Sequence, residues 1–143
     1  MSTATRDASI AAKPGLLRAY SAVAGVVALS VLVQAALAGR GMFVNERLLP
    51  VHGYIGNLVF MLVGAEVVLA LLAGLPRRAR TLLLGHSLLL AVLLAGQTML
   101  GYLGRDGGEA AAWHIANGVL IFGLAITGVT FAGRALRGEL RER

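Results

Sequence analysis

Four long apolar runs, separated by short stretches of arginine, glycine and proline, make up most of this 143-residue chain. The runs cover residues 19–38, 50–74, 81–104 and 110–133. Each reaches the length of about 20 apolar residues that a helix needs to cross a bilayer's hydrocarbon core. Their apolar positions are continuous rather than alternating, which excludes the strands of a membrane barrel. The pattern predicts an all-α integral membrane protein, a four-transmembrane-helix bundle over residues 16–135. Residues 1–15 are expected to form a flexible N-terminal segment and residues 136–143 a short tail. Pro50 suits the first turn of a helix, where its missing N–H costs nothing. Ala36-Leu37-Ala38 looks like a signal-peptidase site, but the run before it is too long for a signal peptide and reads as a retained helix.

Composition strengthens this reading. Hydrophobic residues are 57% of the chain, charged residues 14%, and the mean hydropathy is +0.78. A soluble domain of this size could not hide so much apolar surface. There is no cysteine, which removes disulfides, thiolate metal sites, iron–sulfur clusters and covalent c-type haem attachment. The net charge of +6 comes from twelve arginines and one lysine against seven acids. Because these cations lie between apolar runs, they read as topology signals rather than as a nucleic-acid surface. Arg6, Lys13 and Arg18 precede the first run. Arg77, Arg78 and Arg80 separate the second and third, and Arg134, Arg137, Arg141 and Arg143 follow the fourth. The other two connections carry only Arg40 and Arg47, then Arg105. Positive residues remain in the cytoplasm, so both termini are expected there, with Tyr54, Tyr102 and Trp113 at the outer interface.

The two halves resemble each other. The first run ends in Gln34-Ala-Ala-Leu-Ala-Gly and the third in Gln97-Thr-Met-Leu-Gly. The second opens on His52-Gly-Tyr-Ile-Gly-Asn and the fourth on His114-Ile-Ala-Asn-Gly. This predicts two hairpins related as a parallel repeat, with a pseudo-two-fold axis along the membrane normal. His52 and His114 then face each other near the outer ends of helices two and four. Two opposed neutral imidazoles in a four-helix bundle are a means of holding haem iron. Gly56 and Gly118 lie one turn below them, as a flat macrocycle would need, although small residues at this spacing also serve helix packing. Gln34 and Gln97 suit hydrogen bonds to the ring edge or a ligand, or an interhelical amide bond. Arg40, Arg47 and Arg105 are available for the propionates. His86 has no repeat-related histidine, since Val23 stands in its place. Its depth matches that of Glu66, and a His86–Glu66 pair is expected, either as static glue or as part of a proton path or quinone site.

At these residues the chain resembles one half of a haem A synthase, a family of two similar four-helix bundles. Each bundle carries a histidine near the outer face of its second and fourth helices. The resemblance covers nearly all of the chain after residue 20. The chain is also similar to small bacterial four-helix membrane proteins with a Gln-rich first-helix end, Pro50-Val51-His52 opening helix two and His114-Ile-Ala-Asn117-Gly118 opening helix four. The catalytic half of haem A synthase carries Glu-x-x-His-Arg. Here Leu49 and Gly53 replace the Glu and Arg around His52, and Ala111 and Ile115 occupy those places around His114. The resemblance therefore implies the half that only holds haem b, without hydroxylase activity. It implies a b-type cytochrome of the bacterial cytoplasmic membrane that works in electron transfer or as a haem-bearing subunit of a larger redox complex. The alternative is a cofactor-free structural accessory subunit of a respiratory or photosynthetic complex.

Overall fold

A computed structural model describes residues 13–140. The remainder of the expected N-terminal segment, including Arg6, and the end of the tail, including Arg141 and Arg143, lie outside the described residues. Four helices follow in order: α1 (Pro14–Phe43), α2 (Leu48–Leu72), α3 (Arg77–Leu103) and α4 (Gly108–Leu136). All four are long and apolar enough to cross a membrane.

The helices outrun the apolar runs because charge does not end a helix, whereas backbone chemistry does. Pro14 and Gly15, expected in the flexible segment, already belong to α1, with Pro14 in its first turn. Arg77–Arg80, expected as a loop, form the first turn of α3 behind Pro76 at the N-cap. Pro76 fits there because it has no N–H to leave unpaired. Conversely, α2 stops at Leu72, two residues before its apolar run ends. Gly74 has φ 61°, a left-handed conformation that closes the helix and that a side chain would resist. Gly107, with φ 86°, likewise turns the chain into α4.

Consecutive helices are neighbours, and α1 also packs on α4, so α1 faces α3 and α2 faces α4 across the bundle's diagonals. The Lys13 N–H donates to the Ala73 carbonyl at 2.8 Å, joining the start of α1 to the end of α2. That end of the bundle carries both described termini and is called the terminal end here. The opposite end carries the α1–α2 and α3–α4 connections and is called the hairpin end.

Outward faces are apolar. Leu29, Met61, Val92 and Val119, one on each helix, are 62–71% exposed. Lipid is the environment such a surface fits. In lipid the helices gain little from hydrophobic burial against one another, so close packing and interhelical hydrogen bonds must hold them together. The interior matches that requirement, since Ala24, Ala70, Ala125, Gly128 and Ala132 are all buried where helices meet. Larger side chains fill two layers between them. Val27, Val31, Val59, Val63, Leu90, Leu94 and Ile121 form the middle layer. Leu17, Tyr20 and Leu83 form the layer nearer the terminal end.

Candidate functional site

The two diagonals of the bundle are bridged by polar side chains at opposite ends. At the hairpin end, His52 of α2 and His114 of α4 meet across the axis with ring centroids 6.0 Å apart and planes at 64°. His52 Nδ1 lies 3.1 Å from the Gln34 carbonyl oxygen on α1, and His114 Nδ1 lies 2.9 Å from the Gln97 carbonyl oxygen on α3. A carbonyl can only accept, so both rings donate Nδ1–H. Each Nε2 is left with its lone pair, the atom an imidazole offers to a metal. A backbone carbonyl holding the distal N–H is also how metal-ligating histidines are commonly oriented.

The glutamines on which the rings hang differ. Gln97 Nε2 donates to the His114 carbonyl at 2.9 Å, and its Oε1 accepts from Asn117 Nδ2 at 2.8 Å. Asn117 also donates to the Leu93 carbonyl at 3.0 Å. Gln97 thus makes interhelical amide bonds. Gln34 has no such partner opposite its oxygen, because Ile55 stands three residues after His52 where Asn117 stands three after His114. Its Oε1 is buried and accepts no hydrogen bond among the described residues.

The glycines one turn below the histidines make room for these amides. A Cβ at Gly56 would stand 2.8 Å from Gln34 Nε2, and one at Gly118 would stand 3.2 Å from Gln97 Nε2. Gly101, one turn after Gln97, lies against the His114 ring, where a Cβ would stand 3.0 Å from Cε1. Valine at either lower position must displace the amide. Overpacking of this kind costs about 1–3 kcal/mol. Gly118→Val should destabilise the bundle more than Gly56→Val, because Gln97 has hydrogen bonds to lose. Reversible unfolding in mixed micelles measures both. A larger loss in Gly56→Val, where the clash is tighter, would mean that steric crowding alone sets the cost.

Two turns below the histidines, Val59 and Ile121 are fully buried and close the core. The polar site therefore occupies the two turns nearest the hairpin end. Arg40, Arg47 and Arg105 are exposed at the same end of the bundle, with the Arg105 guanidinium 4.8 Å from the centroid of the Tyr102 ring.

The terminal half is organised differently from expectation. The His86–Glu66 pair does not form. His86 and Ser87 are successive residues of α3, so their side chains point about 100° apart. His86 faces α4, where Nε2–H donates to the Leu124 carbonyl at 2.9 Å. Its ring rests on Gly128 and meets the edge of Phe131 at 5.8 Å. Ser87 faces the axis and takes the partner role, donating to Glu66 Oε2 at 3.1 Å. Its hydroxyl also bonds the Tyr20 hydroxyl of α1 at 2.8 Å, so this chain spans the α1–α3 diagonal. Tyr20, Glu66 and Ser87 are all at most 1% exposed. Tyr20 and Ser87 carried no signal in the sequence, since single hydroxyls in apolar runs commonly bond their own helix, as Thr98 bonds the Leu94 carbonyl here.

Among the described residues, no three His, Cys, Asp or Glu side chains gather to hold a metal ion. A macrocycle brings four equatorial nitrogens of its own, so two imidazoles complete that kind of iron site. No protein family, curated protein or solved structure matches the chain.

Proposed function

We propose that this chain is a small b-type membrane cytochrome holding one non-covalent haem b through His52 and His114. The observation that carries the reading is the opposed imidazole pair, with ring centroids 6.0 Å apart, each ring held through Nδ1–H by a backbone carbonyl so that its Nε2 keeps a lone pair. Bound haem supplies one-electron chemistry. The protein's part is to fix both imidazoles in the ligating tautomer, through the Gln34 and Gln97 carbonyls. Gly56 and Gly118 leave the space in which the Gln34 and Gln97 side chains sit. Arg40, Arg47 and Arg105 are the cations nearest the membrane surface at this end and suit the propionates.

The bundle is best read as two hairpins related as a parallel repeat, because the same ring-to-carbonyl bond joins α2 to α1 and α4 to α3. The cations concentrated at the terminal end support a reading with that end in the cytoplasm and the histidine pair near the outer face of a bacterial inner membrane. A haem there would exchange electrons with a membrane partner or sit within a larger redox complex.

The absorption spectrum tests this directly. The full chain, expressed with ample haem and purified in mild detergent, should show a Soret band and sharp α-bands on reduction, at one haem per chain. A colourless, folded protein would overturn the proposal and leave a cofactor-free accessory subunit as the reading.

A further inference from the structure

We propose that the terminal end of the bundle holds an anionic phospholipid by its phosphate headgroup. A cavity of about 190 Å³ opens there, between the start of α1, the α2–α3 connection, the first turn of α3 and the end of α4. At ~30 Å³ per water molecule it is room for roughly six waters, enough for a phosphoglycerol group rather than a lone ion. Its walls divide by chemistry. Leu17, Leu75 and Leu140 form an apolar floor, and Lys13 and Arg18 stand at the exposed rim with Leu136. A floor of leucines under two cations is complementary to an amphiphile with a negative head.

The protein supplies no negative partner of its own among the described residues at this end. Glu139, the acid nearest the cavity in sequence, is engaged by Arg134 and Arg137. The Arg137 hydrogen bond, with the Arg134 contact beside it, holds the Glu139 carboxyl below the usual carboxylate range. Lys13 and Arg18 form no salt bridge among the described residues. Arg77 and Arg78 lie close by and add to the positive field without lining the cavity. The starts of α1 and α3 add to it too, since both helices begin here with neither a capping side chain nor an acid in the first turn. Basic pockets between transmembrane helices at a membrane surface are a known means of selecting anionic lipid. The apolar floor selects a lipid over a soluble anion. The proposal is independent of the histidine site, which lies at the other end of the bundle.

The test uses the full chain, delipidated in detergent and then supplied with phosphatidylglycerol, phosphatidylcholine or inorganic phosphate. Phosphatidylglycerol should bind saturably, near one per chain by native mass spectrometry, and raise Tm. The double variant Lys13→Gln/Arg18→Gln should weaken that binding by about 30-fold, from the contribution of two basic side chains near an anionic headgroup. The charge-preserving pair Lys13→Arg/Arg18→Lys should retain it, and Arg77→Gln/Arg78→Gln should lose far less. Three results would each overturn the proposal: phosphatidylcholine binding as well as phosphatidylglycerol, phosphate alone giving the same rise in Tm, or equal losses in the two glutamine variants.

Discussion

Replacing either His52 or His114 with alanine should abolish haem absorption, while His86→Ala should leave it intact. Each imidazole of the hairpin-end pair has its Nδ1–H committed to a backbone carbonyl and its Nε2 lone pair uncommitted, so His52 and His114 are the residues that would hold the haem. With only two such side chains, loss of either removes half of the protein's hold on it. His86 lies in the other half of the bundle, with its Nε2–H committed to the Leu124 carbonyl. The comparison is a Soret titration with haemin of each purified variant, with circular dichroism to confirm that the helices persist. A folded His52→Ala or His114→Ala protein with wild-type bands would refute bis-histidine ligation. A parallel loss in His86→Ala would move the site to the terminal half. The glutamines cannot be tested by the same means, because the bond that orients each ring ends on the backbone and survives a side-chain change.

The second large effect belongs to the Tyr20–Ser87–Glu66 chain. Ser87→Ala should destabilise the bundle by about 1–3 kcal/mol, since two interhelical hydrogen bonds are lost at ~0.6–1.7 kcal/mol each. Tyr20 would keep only a long 3.4 Å contact with the Leu83 carbonyl, and the Glu66 carboxyl would lose the Ser87 donor. Glu66→Gln should cost under about 1 kcal/mol, because the amide oxygen still accepts from Ser87 and interhelical bonds of this kind average ~0.6 kcal/mol in membranes. Equilibrium unfolding from mixed micelles separates the two. If Glu66→Gln were as damaging as Ser87→Ala, the carboxyl group's charge, rather than the hydrogen bond, would be what the interior depends on.

These two polar bridges differ in how far the sequence announced them. Histidines are rare in apolar runs, and two of them at matching distances from two glutamines form a recognisable pattern. The Gln34–His52 and Gln97–His114 spacings of 18 and 17 residues carry each chain out of one helix and back into the next at one level. The pairing of neighbours was therefore legible. The atoms that pair were not. The glutamine side chains suited a ligand's ring edge or an interhelical amide bond; Gln97 makes the amide bonds, to the His114 carbonyl and Asn117, while it is the glutamine backbone carbonyls that helix approach brings to the imidazoles. For Glu66 the sequence pointed to the nearest ionisable residue at its depth. Depth alone does not say which way a side chain faces, and one residue of helical rotation separates His86 from Ser87.

By itself, the sequence determined the architecture: four apolar runs of spanning length permit only helices, and the runs' own length sets where they lie in a bilayer. It also determined that polar side chains sit at both ends of the interior, because those residues fall inside the runs. Only the tertiary structure decided who meets whom. The square arrangement sets α2 against α4 and α1 against α3, and the rotation of each helix about its axis chooses the residue that looks inward. In lipid no gain from hydrophobic burial orients the helices. Small residues and hydrogen bonds do that work, and they act between atoms brought within about 3 Å, a distance set by packing and not by spacing along the chain.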